Sequence, residues 1–556
     1  MSHQEKPEAS HHEMVSDNES EKELGVEAEN LILNARNATK DEHELTASRA
    51  LRDYFPAVCW SLIMSSTIIM EGYDTSLMGN FFAFTSFQKK YGVEIAPGSY
   101  SLTGQWQSAL GCASSIGIII ALAVNGILVE RFGHRKIVLV NLVVMAGFLF
   151  ITVFAKNVEM LLVGQILCGF PWGFFSVVGL IYASEVSPLP LRGFLSAYVM
   201  MCWATGQLVA CGVLRAMLSN TSHWSYRIPF AVQWAWIPPL FIATWFCPDS
   251  PYWLVRRGEL EKAEEMVKRL SHKSIHHLAK QRVNLMIYTN ELEKDQQDRL
   301  DDRYKGWKAY RECFRGTNLR RTEIACMAMA GQVFAGNNFA YLPSYFFSQV
   351  GLDSVMTYNM NLAITAVAWV GTFMSWFLAN KVGRRKIFLA GLTFMTAFLL
   401  VIGILQTPAS NTGDLKYSWG QVGCTFGWCV AFVLSLAPLG YTVMSEVSST
   451  RLRAVSIAIG RNAYNLVQLV AQVVEPKFIN PTELDMKGRT SYIWFCTSFL
   501  LLIWTYFRLP ETKDRTYEEL DILFEKGISA RKFSSYQMDL DAEEIDRVSV
   551  KAAAYE

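Results

Sequence analysis

The chain has 556 residues, 51% hydrophobic and 18% charged, with a formal net charge of +1. Soluble domains carry about 25% charged residues, so the balance favours a membrane protein. Near-neutrality argues against a nucleic-acid binder, which needs a clustered basic patch. The eleven Cys fall mostly in apolar runs, and no CxxC or HExxH spacing marks a metal site.

Residues 1–53 read as a disordered tail, poor in apolar side chains and rich in Glu, Ser and Asn, and no cleaved leader is expected. The apolar run 57–78 follows. Its roughly 22 residues, at about 1.5 Å each, reach across the hydrocarbon core of a bilayer. It contains Glu71 and Asp74. A carboxylate at that depth costs about 2.5–3.5 kcal/mol, so it turns to a bundle interior or a wet cavity. Three positions apart on a helix, the two acids share a face. The alternative is that the helix ends early and both acids sit in the interface.

Residues 81–99 read as a polar loop. Apolar spans then recur near 102–124, 137–154, 160–182, 194–214 and 228–247. The stretch 248–321 breaks the pattern with charged residues and an amphipathic piece over 254–270. Further spans lie near 322–348, 357–379, 387–405, 421–444, 454–474 and 492–507, and 509–556 forms a polar tail. The reading is an all-α membrane protein without strands. About 12 transmembrane helices form two six-helix halves, 54–247 and 322–508, around the linker 248–321. Lys and Arg concentrate in alternate loops, which places both termini and the linker in the cytoplasm. Asn220-Thr221-Ser222 then falls outside as a possible glycosylation acceptor.

The halves repeat each other. Glu130-Arg131-Phe132-Gly133-His134-Arg135-Lys136 after the second span is matched by Gly383-Arg384-Arg385-Lys386 after the eighth. Glu185 with Arg192 after the fourth span is matched by Glu446 with Arg451 and Arg453 after the tenth. One such turn is ordinary positive-inside anchoring. Four at matched positions read as a latch of charges between helix ends, in a chain built for alternating access.

These turns, with Pro248-Asp-Ser-Pro251-Tyr-Trp253-Leu254 after the sixth span and Pro510-Glu511-Thr512-Lys513 after the twelfth, resemble the sugar porters of the major facilitator superfamily. Within that family the resemblance is to fungal α-glucoside proton symporters, carried by Glu71-Gly-Tyr-Asp74-Thr and Arg461-Asn462-Ala-Tyr464-Asn465. It implies a monomeric plasma-membrane carrier that binds a sugar and a proton, with no cofactor. There is no nucleophile–base pair and no phosphate-binding glycine loop, so no enzyme activity is expected.

Arg461 lies inside an apolar span and is as costly alone as a lone carboxylate. A pair or network with Glu71 and Asp74 across the central cavity relieves both, and is the proposed proton-coupling set. The alternative is a shallow Arg461 that snorkels to the interface. Amides that donate and accept, and rings that stack on a pyranose, suit a sugar. The resemblance assigns Gln332, Asn337 and Tyr341 to the family pattern QQxxGxN…Y, with Asn338 beside them. Gly331 departs from that pattern in place of the first Gln, which removes an amide and its bulk, and Ala335 departs from it in place of the Gly. Tyr441 stands where the family has Trp. Asn462, Asn465 and Gln468 form one polar stripe, which helix–helix packing also explains. Trp203 and Gln207 are further candidates. His134 and Asn380 depart from the latch pattern, which makes the first-half latch of Glu130 and Arg131 the stronger one. Residues 254–270 resemble cytoplasmic bracing helices. The function expected is proton symport of an α-glucoside such as maltose. The rivals are a hexose or other disaccharide carrier (cellobiose, lactose or sucrose), facilitative or coupled, and a non-transporting nutrient receptor.

Overall fold

In the computed structural model the described residues are 45–287, 290, 306–340, 343–449, 452–513, 515, 520, 523–534 and 536. Tyr341 and Arg451 lie outside them, as do the side chains of Arg192, Asn380 and Arg453. In the first half the main helices are α1 (Phe55–Ser65), α2 (Ile68–Phe81), α3 (Gly104–Phe132), α4 (His134–Val153), α5 (Val158–Val186), α6 (Leu189–Met217), α7 (Trp224–Ala231) and α8 (Gln233–Phe246). The linker contributes α9 (Leu260–Leu270). The second half has α10 (Gly316–Phe334), α11 (Asn337–Ala340), α12 (Ser344–Gln349), α13 (Ser354–Val382), α14 (Arg384–Thr412), α15 (Leu415–Leu434), α16 (Leu436–Val447), α17 (Arg453–Ile479) and α18 (Ser491–Arg508). Eight helical stretches among the described residues are long and apolar enough to cross a membrane.

Several expected spans are broken, each for a local reason. Between α1 and α2 the hydroxyls of Ser66 and Thr67 donate back to the carbonyls of Ile63 (2.6 Å) and Met64 (2.7 Å). Such back-bonding competes with the helix ladder and bends it. The span after the linker stops at Gly336, whose φ of +90° only glycine adopts readily. That stop sets Asn337 and Asn338 at the head of the short α11.

The expectation of no strands is corrected. Val93–Ala96 and Ser99–Ser101 pair as an antiparallel hairpin around Pro97-Gly98, inside the stretch read as a loop. The supposed tail 1–53 also ends in a helix, Ala47–Asp53. Part of the C-terminal segment is no free tail either. Leu520, Leu523, Phe524 and Phe533 are buried in the core of the second half, with Phe388, Leu392, Trp428 and Leu436. The first half has its own core around Trp172, Phe174, Phe175 and Leu142.

Candidate functional site

The two acids of α2 part company. Asp74 is 1% exposed and points into the first half, where its Oδ1 accepts a hydrogen bond from Gln233 Nε2 of α8 (2.6 Å). Gln165 of α5 lies alongside. Glu71 is half-buried and lies within electrostatic reach of Arg461 in the other half, although the two form no direct ion pair. Three residues subtend about 60° on a helix, and at the seam between the halves that angle sends one acid inward and the other across. The expectation that Asp74 shares a network with Arg461 is therefore corrected: its partner is an amide of its own half.

Gly72, between the acids, is held by close packing. A Cβ there would sit 2.2 Å from the carbonyl oxygen of Trp203, and one at Gly206 would sit 2.1 Å from that of Ile69. Two small residues let the α2 and α6 backbones touch. Trp203 and Gln207 ride on α6 beside this contact, Gln207 buried and Trp203 partly so.

Across the seam, Arg461 donates to the Tyr441 hydroxyl, and its guanidinium lies 5.1 Å from the Tyr441 ring centroid and 6.0 Å from that of Tyr464. Cation–π contact and a hydroxyl acceptor thus hold the cation where a carboxylate was expected. Gln468 Nε2 donates to Asn338 Oδ1 (2.8 Å), bridging α17 and α11. Gln332 is buried with its Nε2 against Gly440, and Asn337 Oδ1 is buried without a hydrogen-bond partner. Asn465 is half-buried. Asn462 is exposed and shares the spacing of Leu466 and Val470, both well exposed, so the expected stripe loses this member. Asn220 is outside this group, accepting from the Ser222 amide (2.9 Å) in a turn.

The halves are bonded at one end. Asn80 Oδ1 accepts from Ser344 and from Asn361 Nδ2 (2.9 Å), and the Asn80 carbonyl accepts from Tyr358 (2.6 Å). Ser108 donates to the Val473 carbonyl (3.0 Å), Asn480 to that of Leu102 (2.7 Å), and Arg215 to Asn359 (2.5 Å). At the opposite end, where the basic turns lie, no side-chain hydrogen bond among the described residues joins one half to the other. Amides, tyrosines, Arg461 and Glu71 thus gather along the seam between the halves, whose described bonds cluster towards one end. Such a set can bind a neutral polyol and hold or release a proton.

Residues 60–524 match the family model for sugar (and other) transporters. The maltose permease MAL31 of Saccharomyces cerevisiae is 34% identical over 545 residues, covering 97% of this chain and 86% of its own length. The chain belongs to the sugar transporter family. The general alpha-glucoside permease of the same organism is 32% identical, over 94% of this transporter and 84% of that protein. In fold the transporter is similar to the major facilitator superfamily proton:xylose symporter XylE, with a TM-score of 0.63 at 19% identity over 85% of this chain and 99% of that one. An inward-open form of XylE from E. coli aligns with a TM-score of 0.63 at 20% identity, over 84% and 99%.

Each half of the transporter carries a clasp at the end with the basic turns. In the second, Arg384 pairs with Glu446 (3.0 Å), and Thr512 donates to the other Glu446 oxygen (2.5 Å). Glu511 accepts from the amides of Arg384 (2.8 Å) and Arg385 (3.2 Å), an anion seated on the start of α14. Arg385 itself donates to the carbonyls of Leu509 and Tyr506. In the first half, Glu185 accepts from Ser250 and from Arg256 (2.7 Å), while His134 Nδ1 lies 3.8 Å away. Trp253 donates to the Glu130 carbonyl (2.8 Å). Arg135 donates to the Trp245 carbonyl. Glu130 and Arg131 are exposed, Arg131 beside the Phe132 ring. Arg384 stands where the first half has His134, and the first-half Glu185 instead takes its cation, Arg256, from the linker. Gln165 and Gln233 escaped sequence reasoning. The missed signal was a buried carboxylate that needs an amide partner.

Proposed function

We propose that this protein imports an α-glucoside such as maltose across the plasma membrane together with a proton. The observation that carries the coupling is Glu71, a carboxylate turned across the seam towards Arg461, which is already held by Tyr441. The maltose and α-glucoside permeases among its relatives support the substrate class, and the symporter fold supports the coupling. Twelve helices in two halves, with termini, linker and basic turns in the cytoplasm, accommodate the eight apolar stretches, and the one-sided bonding corresponds to an inward-facing state. The sugar lies between the halves, against Gln332, Asn337, Asn338, Asn465, Gln468 and the Tyr441 ring, with Tyr341, Trp203 and Gln207 completing the wall. Protonation of Glu71 weakens its hold on Arg461 and lets the loaded halves rock. Asn220 is a glycan acceptor in this orientation, tested by a mobility shift on glycosidase treatment.

The test is uptake in cells lacking their own sugar carriers, in unbuffered suspension. Maltose addition alkalinises the medium with the intact chain, and Glu71→Gln abolishes that signal while sugar exchange persists. Flux without a pH change would make the protein a facilitator. No flux for any sugar would leave a receptor.

A further inference from the structure

The helix α17 continues past the apolar run, and its added length brings a second acid into the seam. Arg461, Tyr464, Gln468, Gln472 and Glu475 stand at i, i+3, i+7, i+11 and i+14, one helix face. Glu475 is 8% exposed, and its Oε2 has no hydrogen-bond partner. Gln472 Oε1, one turn back on the same face, is equally buried and equally without a donor. Glu475 lies in the stretch where the halves close on each other, between Val473, bonded to Ser108, and Asn480, bonded to the Leu102 carbonyl, and Gln472 directly precedes that stretch.

Among the described residues no cation balances this acid. From Gly104 to Val129 the facing helix α3 has no charged residue, nor has α11. The charges of α10, Arg320, Arg321 and Glu323, lie at its other end, as does Glu446 of α16. On its own helix Lys477 is exposed. In the turn packed beneath, Lys487 is paired with Asp485 (3.7 Å) and Arg489 is exposed. Two buried acceptors side by side without a donor are costly, and an unbalanced buried charge is more so. One proton settles both.

We propose that Glu475 is a proton-binding site of the outer gate, protonated and donating towards Gln472 when the halves are closed, and deprotonated when they part. The proton comes from outside and returns there, because the closed seam shuts Glu475 off from the inner cavity. It therefore sets how external acidity biases the gate, and it adds nothing to the number of protons carried with the sugar. This rests on reading the end of α17 as extracellular.

The test uses the full chain in intact cells, with Cys211 as reporter and the other cysteines replaced by alanine. Cys211 lies in the closed seam beside Asn361 (3.1 Å) and Thr365 (3.4 Å), so a membrane-impermeant maleimide reaches it only when the outer gate opens. The readout is the labelling rate relative to Glu475→Gln at the same external pH, which cancels titration of the thiol. A one-proton linkage makes that ratio rise with pH, approaching tenfold per unit. A ratio constant from pH 5 to 7.5 overturns the proposal. If Glu475→Gln fails to reach the surface, Glu475→Asp replaces it: its rate relative to the parent must shift along the pH axis, and a flat ratio again overturns the proposal. Maltose-driven alkalinisation, measured in parallel, separates the two readings. Its persistence in Glu475→Gln is expected, and its loss there overturns the gate-only role. Its absence in the parent chain would refute symport while leaving the labelling ratio to judge Glu475.

Discussion

In the orientation proposed above, Asn80→Ala should open the outer gate. The Asn80 side chain is fully buried and is the acceptor for two donors of the second half, Ser344 and Asn361. Its Nδ2 stays within the first half, bonding the Ser76 carbonyl at 2.7 Å, so the substitution acts on the seam chiefly through the lost oxygen. Each stranded donor costs about 1–3 kcal/mol while buried, and nothing once the gate parts and water reaches it. The Tyr358 bond to the Asn80 carbonyl survives, because it uses backbone. Water entry and repacking recover part of the loss, so a net shift of about 2 kcal/mol towards the outward-open state is expected, roughly thirtyfold in population. External maleimide labelling of Cys211, normalised to the thiol's reactivity because Asn80 Nδ2 also contacts its Sγ (3.8 Å), reads that population, and inward sugar flux should fall as return through the closed state slows. Labelling within twofold of the parent, in a variant that reaches the surface, would show that Asn80 does not hold the gate.

Other expectations follow from the same geometry. Gly72→Ala drives a methyl to 2.2 Å from the Trp203 carbonyl oxygen and should cost about 1–3 kcal/mol or more, seen as lower surface expression and a lower melting temperature in detergent. Glu446→Gln removes the ionic partner of Arg384, both side chains being under 20% exposed, and should lower stability by about 2 kcal/mol. Glu185→Gln should cost less, because its ionic partner Arg256 is 43% exposed. Burial lifts the Asp249 carboxyl above its ordinary range against the pull of Arg135, Lys136 and His134. The folded state then holds that proton more tightly than the unfolded one, so Asp249 lowers stability as pH rises from about 4 through its lifted range. Thermal melts across that window should show a slope that Asp249→Asn reduces.

The repeat of basic turns, the apolar spans and the acid in the first of them were legible from residue order, because each is a local pattern. What the pattern withholds is the direction each side chain takes. Glu71 and Asp74 sit three apart in any helix, and only the placement of α8 and the second half decides that one meets an amide and the other an arginine. Asn462 reads as part of an amide row until Leu466 and Val470 show which face is outside. The hairpin was missed because a Pro-Gly turn between short alternating segments was absorbed into a polar stretch. Glu475 was missed for a different reason. A charged residue before proline looks like a helix end, yet α17 runs through Pro476 to Ile479, since the residue ahead of a late proline can stay helical.

The two clasps bear on how such a chain is made. In each half the acid after the fourth span is held by a hydroxyl that arrives only after the sixth, Ser250 in one case and Thr512 in the other. Each fastened unit therefore extends beyond its last membrane span to the short trailing motif that holds it. Since Ser250 and Arg256 precede the whole second half in the chain, the first half can complete its fastening during synthesis, while the second is still on the ribosome. An arrest of translation in the linker should yield a protease-resistant N-terminal fragment only when the stalled chain has cleared Arg256.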